Sequence, residues 1–272
     1  MNWHQTNLAF PQWAHAEDTA LAHLAPLLCK AEDDGTIAEW FIVRKHPCWR
    51  VRFLAPEFPA TTAAGLDALN AAGHLNGWVR VVYEPEVRAF GGTAAMDVAH
   101  RLFHHDSRHL LTHLQRIGKH RRETSLLLCS LLMRSAGLDW YEQGDVWARV
   151  SEHREEPPAL DAAQATVLHQ AVLRLLTVDS QTQIQAGTGP LAGAAPWAQA
   201  YTSAGQDLAH LNATGGLRRG LRDVLAHHVI FAWNRAGLPH LTQAALAAAA
   251  TTVTLGPDPT TGPAPTPSPT IR

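Results

Sequence analysis

The stretch EWFIVRKHPCWRVRF, residues 39–53, decides the fold of this sequence. It contains two runs of β-branched and aromatic residues, a composition typical of strands, on either side of His46-Pro47, which favours a turn. We therefore predict a β-hairpin. A further run of the same kind, GWVRVVYE at residues 77–84, predicts another strand.

Helical periodicity surrounds the predicted strands. Residues 17–30 place leucines on one side of an amphipathic helix, and TTAAGLDALNAAG, residues 61–73, predicts a helix that ends at a glycine. After Gly91-Gly92 the pattern becomes helical as far as the alanine-rich segment near the C-terminus. Strands followed by helices indicate an α+β fold.

This order predicts one domain over residues 1–255, in which a sheet lobe (1–92) packs on a helical lobe (93–255). A cleft between the lobes is the expected place for a functional site. The remaining residues, 256–272, read GPDPTTGPAPTPSPTIR and offer almost nothing apolar to bury. This proline- and threonine-rich tail is predicted to be disordered.

Composition limits the class of protein. The chain has 272 residues and a net charge of −2, which argues against a general nucleic-acid binder. The N-terminus has no basic segment followed by an apolar one, and no apolar run is long enough to span a membrane. Three widely spaced cysteines without a CxxC pattern fit a reducing compartment. We expect a soluble, cytoplasmic protein.

The first candidate site is the arginine pair in CWRVRF. Residues two apart in a strand point to the same face, so Arg50 and Arg52 should project side by side, and Arg44 is expected to join them across the hairpin. Guanidinium groups bind carboxylates in a bidentate manner. The alternative is a solvent-facing strand that happens to carry arginines.

The second candidate is YEPEVRAFGG, residues 83–92, at the exit of the last predicted strand. Tyr83, Glu86 and Arg88 lie beside a Gly-Gly turn, where the backbone can approach a ligand closely. The alternative is a turn with a local glutamate–arginine pair.

Histidines form the third and fourth candidates. His105, His109 and His113 are spaced to share one helix face and could chelate a transition metal, but a solvated helix surface is the favoured interpretation and no metal is predicted. In LRDVLAHHVIFAWNRAGL, His228 and Arg235 are seven apart on one face. A histidine there could act as acid or base, or could be a buried residue satisfied by a neighbour.

The sequence contains no P-loop, no dinucleotide-binding glycine pattern, no GxSxG motif and no kinase motifs. Nucleotide-dependent chemistry and triad hydrolysis are therefore poorly supported.

Four segments together resemble the thiopeptide-type bacteriocin biosynthesis domain family. They are EWFIVRKHPCWRVRF, GWVRVVYEPEVRAFGGTAAMDVAHRLFHHDS, GLDWYEQGDVWARV and HHVIFAWNRAGL, and the resemblance runs from about residue 40 to residue 238. The family includes the C-terminal elimination domain of lantibiotic dehydratases and its stand-alone relatives. Four segments in the same order make the resemblance specific.

The resemblance implies elimination of glutamate during the synthesis of a lanthipeptide or thiopeptide. A separate glutamyl-tRNA-dependent dehydratase subunit would esterify serine or threonine of a ribosomally made precursor peptide. This domain would then remove the α-proton and expel glutamate, leaving dehydroalanine or dehydrobutyrine. Such a step implies no cofactor and no direct contact with nucleic acid, and a homodimer is one expected assembly.

The family's functional residues map onto this sequence with three departures. The histidine often found just before the paired arginines is replaced here by Cys48-Trp49. The family arginine before an aromatic-Gly-Gly segment falls on Ala89, so Arg88 is the substitute, and the offset of His228 from Asn234 differs from the family's. The resemblance implies catalytic roles for Arg50, Arg52, Arg88 and His228, and substrate binding by Arg44, Tyr83, Glu86 and Arg235.

Two other functions remain open. A related branch of the family, the pyridine synthases of thiopeptide pathways, joins two dehydroalanines by formal [4+2] cycloaddition, and fold alone does not fix function. A non-catalytic partner could instead capture a leader peptide at an exposed sheet edge. The clustered arginines favour elimination, because a glutamyl leaving group requires anion binding.

Overall fold

The computed structural model describes residues 1–117, 120–157, 159–185, 187–188, 191 and 193–256. Its N-terminal part contains a four-stranded antiparallel sheet with the strand order β2-β3-β1-β4. The strands are β1 (Asn2–Ala9), β2 (Glu39–Lys45), β3 (Cys48–Ala55) and β4 (Gly77–Val81). The predicted hairpin is confirmed as β2 and β3, and the predicted third strand is confirmed as β4, although it ends at Val81.

The central strand β1 has no counterpart in the sequence prediction. Its sequence, NWHQTNLA, is mostly polar, yet β1 pairs with β3 on one side and with β4 on the other. Thr6 and Leu8 are fully buried. Hydrogen bonding to two neighbours stabilises this strand despite its low β-propensity, which is why composition did not indicate it.

One face of the sheet packs on N-terminal helices. Trp49, Val51 and Phe53 of β3 are buried there with Leu24 and Leu28. The helices of this layer are α1 (Ala16–Thr19), a π-helical segment (Ala20–Leu24), α2 (Ala25–Asp33) and α3 (Ala60–Ala71), preceded by a 3₁₀ turn (Trp13–His15). The two helices predicted before residue 92 are therefore confirmed.

The C-terminal part of the described chain is helical, as predicted. It comprises α4 (Thr93–Ile117), α5 (Arg121–Ser135), α6 (Trp140–Glu152), α7 (Ala162–Thr177), α8 (Ser180–Gln185), α9 (Ala195–Ala213), α10 (Leu221–Ala236) and α11 (His240–Leu255). Helix α5 is buried along its length and includes the buried Cys129. At Gly205 of α9 an added Cβ would lie 2.4 Å from the Leu132 carbonyl oxygen, so only glycine permits this close crossing of α5 and α9.

The α+β fold class is confirmed, and the single-domain division at residue 92 stays a prediction. Apart from Gly256, the tail predicted to be disordered lies outside the described residues. In the part of the chain that the structure describes, no helix is long and apolar enough to cross a membrane.

The two outer edges of the sheet differ. Helix α4 runs along β2, where the backbone N–H of Trp40 donates to His104 Nδ1 (3.2 Å) and that of Ile42 donates to Ser107 Oγ (3.1 Å). At the other end of the sheet, β4 pairs with β1 and with no other strand of the described ranges. The sheet therefore has one edge closed by side chains and one edge without such closure.

Candidate active site

Arg52 is held on the second face of the sheet by a neutral amide and two aromatic rings. Its side chain is only 6% exposed, and its Nε donates to Gln5 Oε1 at 2.7 Å. Its Cζ lies 4.6 Å from the ring centre of Tyr83 and 5.2 Å from that of Phe41. Burial lowers the pKa of Arg52 to about 10, and the nearby charge of Arg50 acts in the same direction. The guanidinium is therefore still charged at neutral pH.

Tyr83 and His100 form a hydrogen-bonded pair beside Arg52. The Tyr83 hydroxyl oxygen and His100 Nε2 are 2.8 Å apart, and the imidazole lies 4.5 Å from the Trp3 ring. Burial raises the pKa of Tyr83 to about 12. Burial, assisted by the charge of Arg52, lowers the pKa of His100 to about 4. At neutral pH a neutral phenol therefore bonds to a neutral imidazole, a pair through which a proton can move.

Arg50 lies one row along the same face and is half-buried. The strand registers place it in a row with Val43, Asn7 and Val79, and Val79 is 55% exposed. Its Nε is buried without a hydrogen-bond partner. Within the described residues, neither Arg50 nor Arg52 has a carboxylate at ion-pair distance. We call Arg50, Arg52, Tyr83 and His100 the sheet-face cluster.

Arg44 does not belong to this cluster. It is paired with Trp49 in the hairpin register, which puts it on the opposite face from Arg50 and Arg52. There it forms an ion pair with Glu17, which also binds Arg121 at 2.7 Å. The expectation that Arg44 joins the other two arginines across the hairpin is wrong, because alternate residues of a strand face opposite ways.

Arg235 lies in the core of the helical part. It is 0% exposed, and its Nε bonds to Asp106 Oδ2 at 2.5 Å. Asp106 also accepts hydrogen bonds from Trp197 Nε1 (2.8 Å) and the Tyr201 hydroxyl (2.7 Å). These bonds neutralise the buried charge and join α4, α9 and α10. We call Asp106, Arg235, Tyr201 and His228 the helix-core cluster.

His228 is 1% exposed, with its ring 4.9 Å from that of Phe90 and 6.0 Å from that of Phe103. Burial, together with the charge of Arg235, lowers the pKa of His228 to about 3. Neither ring nitrogen has a hydrogen-bond partner. In this arrangement a substrate cannot reach the imidazole, so its predicted catalytic role stays a prediction that the geometry does not favour.

The segment from Tyr83 to Gly92 borders the sheet-face cluster. Glu86 and Arg88 are exposed, and the negative charge of Glu86 acts on both Arg52 and Tyr83. The turn ends at Gly91 and Gly92, with φ of 88° and 115°, values that favour glycine. The structure thus places Arg52 against Tyr83, with the charge of Glu86 acting on both, although the sequence predicts the arginine pair and this segment as separate candidates.

Sequence reasoning missed Arg219 and His227. Arg219 Nη1 donates to the Ala89 carbonyl oxygen at 3.2 Å, which brings a guanidinium to the position where the family arginine is replaced. His227 is half-buried and lies 3.4 Å from that Nη1. Of the two adjacent histidines in α10, His227 is therefore the more accessible one. Helical periodicity alone does not distinguish them.

His100 was also missed as a site residue, although it belongs to the histidine-rich stretch of α4. Its apolar neighbours on the helix, Ala99 and Phe103, are buried with it, which is the signal that could have separated His100 from the exposed histidines. Among the residues that the structure describes, no three His, Cys, Asp or Glu side chains converge to hold a metal ion.

The sequence matches the lantibiotic biosynthesis dehydratase C-term family over residues 3–254. The chain belongs to this family, which confirms the resemblance noted from the sequence. No protein with a curated description matches the sequence.

Two solved structures share the fold. MibB from Microbispora sp. 107891, a tRNA-dependent lantibiotic dehydratase, superposes with a TM-score of 0.61 and 20% identity over 93% of this chain. The chain spans only 28% of the length of MibB. TsrL gives a TM-score of 0.60 and 14% identity, covering 93% of this chain and 94% of TsrL. At these identities the likeness shows the fold alone.

Proposed function

We propose that the chain is a lyase that eliminates glutamate from glutamylated serine or threonine of a precursor peptide. One observation carries this proposal. Arg44 and Arg235 are neutralised by Glu17 and Asp106, whereas the buried Arg52 and the half-buried Arg50, on one face of the sheet, have no carboxylate at ion-pair distance among the described residues. Leaving buried or half-buried cations uncompensated costs free energy, so an anionic ligand is the natural complement.

In this proposal the two arginines bind carboxylate groups. Arg50 and Arg52 hold the glutamyl group through charge-assisted hydrogen bonds. They also stabilise the negative charge that develops on the peptide carbonyl oxygen as the α-proton leaves. Both tasks require a fixed cation, and the ring of Tyr83 on one side and Gln5 on the other fix the guanidinium of Arg52.

Tyr83 is the proposed proton-transfer residue, and His100 is its positioning residue. The phenol oxygen accepts the α-proton of the modified residue while the phenolic proton moves to His100 Nε2. The bond between Cβ and the ester oxygen breaks, and glutamate departs as a carboxylate, leaving the Cα–Cβ double bond. Arg52 contributes to the low pKa of His100, so a carboxylate bound to Arg52 would make His100 more basic when substrate is present.

The substrate would come from a glutamyl-tRNA-dependent dehydratase subunit, and this domain itself would not contact tRNA. The catalytic role of Arg88, the substrate-binding roles of Glu86 and Arg235, a homodimeric state and a cytoplasmic location all remain predictions.

The proposal is tested by mass spectrometry of a synthetic leader–core peptide that carries O-glutamyl-serine. The expected result is loss of the whole glutamate and formation of dehydroalanine, not hydrolysis back to serine. A glutamyl peptide that stays intact with the pure protein, under conditions where binding is saturated, would overturn the proposal.

A formal [4+2] cycloaddition is the second candidate. It is favoured by the aromatic lining of Trp3, Phe41 and Tyr83 around Arg52 and by the alanine at position 89, where the elimination family carries arginine. A peptide with two dehydroalanines would then cyclise and release its leader, while the glutamyl peptide would not change. If both peptides bind and neither changes, the chain acts as a peptide-binding partner.

A further inference from the structure

The two edge strands of the sheet, β2 and β4, differ in how their outward-pointing backbone groups are hydrogen-bonded. An exposed edge strand invites pairing with another chain, and proteins usually block it. At the β2 edge, the side chains of His104 and Ser107 accept hydrogen bonds from the outward-pointing backbone N–H groups of Trp40 and Ile42. Within the described residues, no side chain or backbone group bonds to the outer edge of β4.

The exposed side chains along this edge include two valines as well as the charged Arg80. Val79 is 55% exposed, and Val82, just beyond the end of β4, is 85% exposed. Exposed valines next to unpaired backbone groups are what an added strand would cover. The backbone selects for an extended peptide, because only that conformation matches the spacing of donors and acceptors along a strand.

The open edge is continuous with the sheet-face cluster. Val79 is in the same cross-strand row as Arg50, and Tyr83 follows β4 by two residues. A strand added beside β4 would lie three strand spacings from β3, about 14 Å from Arg50 between backbones. An arginine and a glutamylated serine are both long and can bridge this gap from the two sides.

We propose that the outer edge of β4 binds the precursor peptide as a fifth strand and presents its glutamylated residue to Arg50, Arg52 and Tyr83. This inference rests on the proposed function for the identity of the peptide. The occupant is an extended segment of peptide backbone, read by main-chain hydrogen bonds, with side-chain contacts to Val79 and Val82.

The register of a strand provides a direct test. Only alternate residues of an added strand direct their N–H groups towards β4. The probe is a short acetylated and amidated peptide of alternating threonine and valine around O-glutamyl-serine, N-methylated either on the odd or on the even residues. One methylated form should bind about tenfold more weakly than the unmethylated probe, since it loses main-chain bonds, while the other should bind almost normally. Equal affinities for the two methylated forms would overturn the proposal.

Substitutions on the edge give an independent test. Val79→Asp and Val82→Asp place a charge where the probe would pack, and both side chains are exposed, so the fold should be retained. The matched control is Val167→Asp on α7, where the valine is 66% exposed. We expect weaker probe binding for the first two variants and none of this loss for the control. Loss of binding in the control as well would contradict the edge as the site.

Hydrogen exchange on the full chain separates this inference from the proposed function. Protection of the amides of residues 77–82 by the probe supports strand addition, and protection confined to other segments overturns it. If glutamate is eliminated without protection at β4, the proposed function stands and the edge proposal falls. If β4 is protected and the register matters but no glutamate is lost, strand addition stands and the elimination function falls.

Discussion

The sheet-face cluster and the helix-core cluster both contain arginine and histidine, but the arginines of the two clusters have different partners. Arg235 is paired with Asp106, which is itself held by Trp197 and Tyr201. Arg52 bonds to the neutral Gln5, and Arg50 has no ion-pair partner among the described residues. In the helix-core cluster the charge of Arg235 is neutralised by Asp106, whereas the sheet-face cluster has no carboxylate at ion-pair distance among the described residues and lies next to the outer edge of β4.

This difference shows that the partner of an arginine is more informative than the arginine itself. A buried ion pair whose charges cancel within the fold is a structural element, and the pair of Arg235 and Asp106 is one, although Nη1 and Nη2 of Arg235 have no hydrogen-bond partner among the described residues. A guanidinium stacked on aromatic rings and bonded to an amide keeps its charge available for a ligand. The following predictions test this contrast.

The largest effect is expected in the helix-core cluster. Asp106→Asn removes the charge that neutralises the fully buried Arg235, and should lower the free energy of unfolding by about 3–5 kcal/mol. Urea unfolding measures this change. Asp207→Asn is the control, because the Asp207–Arg101 pair is exposed and should contribute only about 0–1 kcal/mol. Equal losses in the two variants would remove the distinction between the clusters.

Arg50→Ala, in contrast to Asp106→Asn, should reduce activity without reducing the stability of the fold. The rate of glutamate elimination should fall by about 10²–10³-fold, the usual effect of losing one group that stabilises developing charge. The free energy of unfolding should stay the same or rise, because a half-buried cation without a partner is removed. Arg80→Ala is the control, since Arg80 stacks on Phe58 on the other face of the sheet. If Arg50→Ala lowers the free energy of unfolding but not the elimination rate, Arg50 has a structural role and not a catalytic one.

Tyr83→Phe isolates the hydroxyl within the sheet-face cluster. The ring that stacks on Arg52 is retained, so KM should change little, while kcat should fall by about 100-fold because the proton-transfer group is lost. Steady-state kinetics with the glutamyl peptide measure both parameters. A rise in KM at constant kcat would instead mean that Tyr83 only binds substrate.

A pH dependence of stability is expected from His228. Its folded pKa, about 3, is below the ordinary value of 6.5, so the unfolded state binds the proton first as the pH falls. The stability contribution of neutral His228 is present above about pH 6.5 and decreases towards pH 3, with a slope of about 1.4 kcal/mol per pH unit.

Chemical unfolding between pH 7 and the acid limit of the fold measures this slope. His228→Leu should flatten it, whatever the variant does to stability at neutral pH. A wild-type slope in the His228 variant would show that the imidazole is not buried as a neutral group.

Sequence reasoning succeeded where local pattern decides structure. Turn residues at His46-Pro47 and the strand composition around them predicted the hairpin, and helical periodicity predicted most of the helices. The polar strand β1 could not be predicted in this way, because its place in the sheet is fixed by pairing with β3 and β4, which are distant in sequence.

The candidate site was predictable in part for the same reason. Strand alternation placed Arg50 and Arg52 together, and a two-residue turn that pairs Lys45 with Cys48 also pairs Arg44 with Trp49, so the position of Arg44 could have been deduced. The burial of His228 could not, since Phe90 and Phe103 reach it from other elements.

Cys129 of α5 is a built-in thiol probe for opening of the helical core around the helix-core cluster. The thiol is completely buried near Asp106 and Arg235, and burial raises its pKa, so it is unreactive as long as the helices stay packed. Cys29 and Cys48 are only partly buried. Slow labelling of Cys129 after rapid labelling of the other two would therefore time the transient opening of the helical core, without any engineered probe.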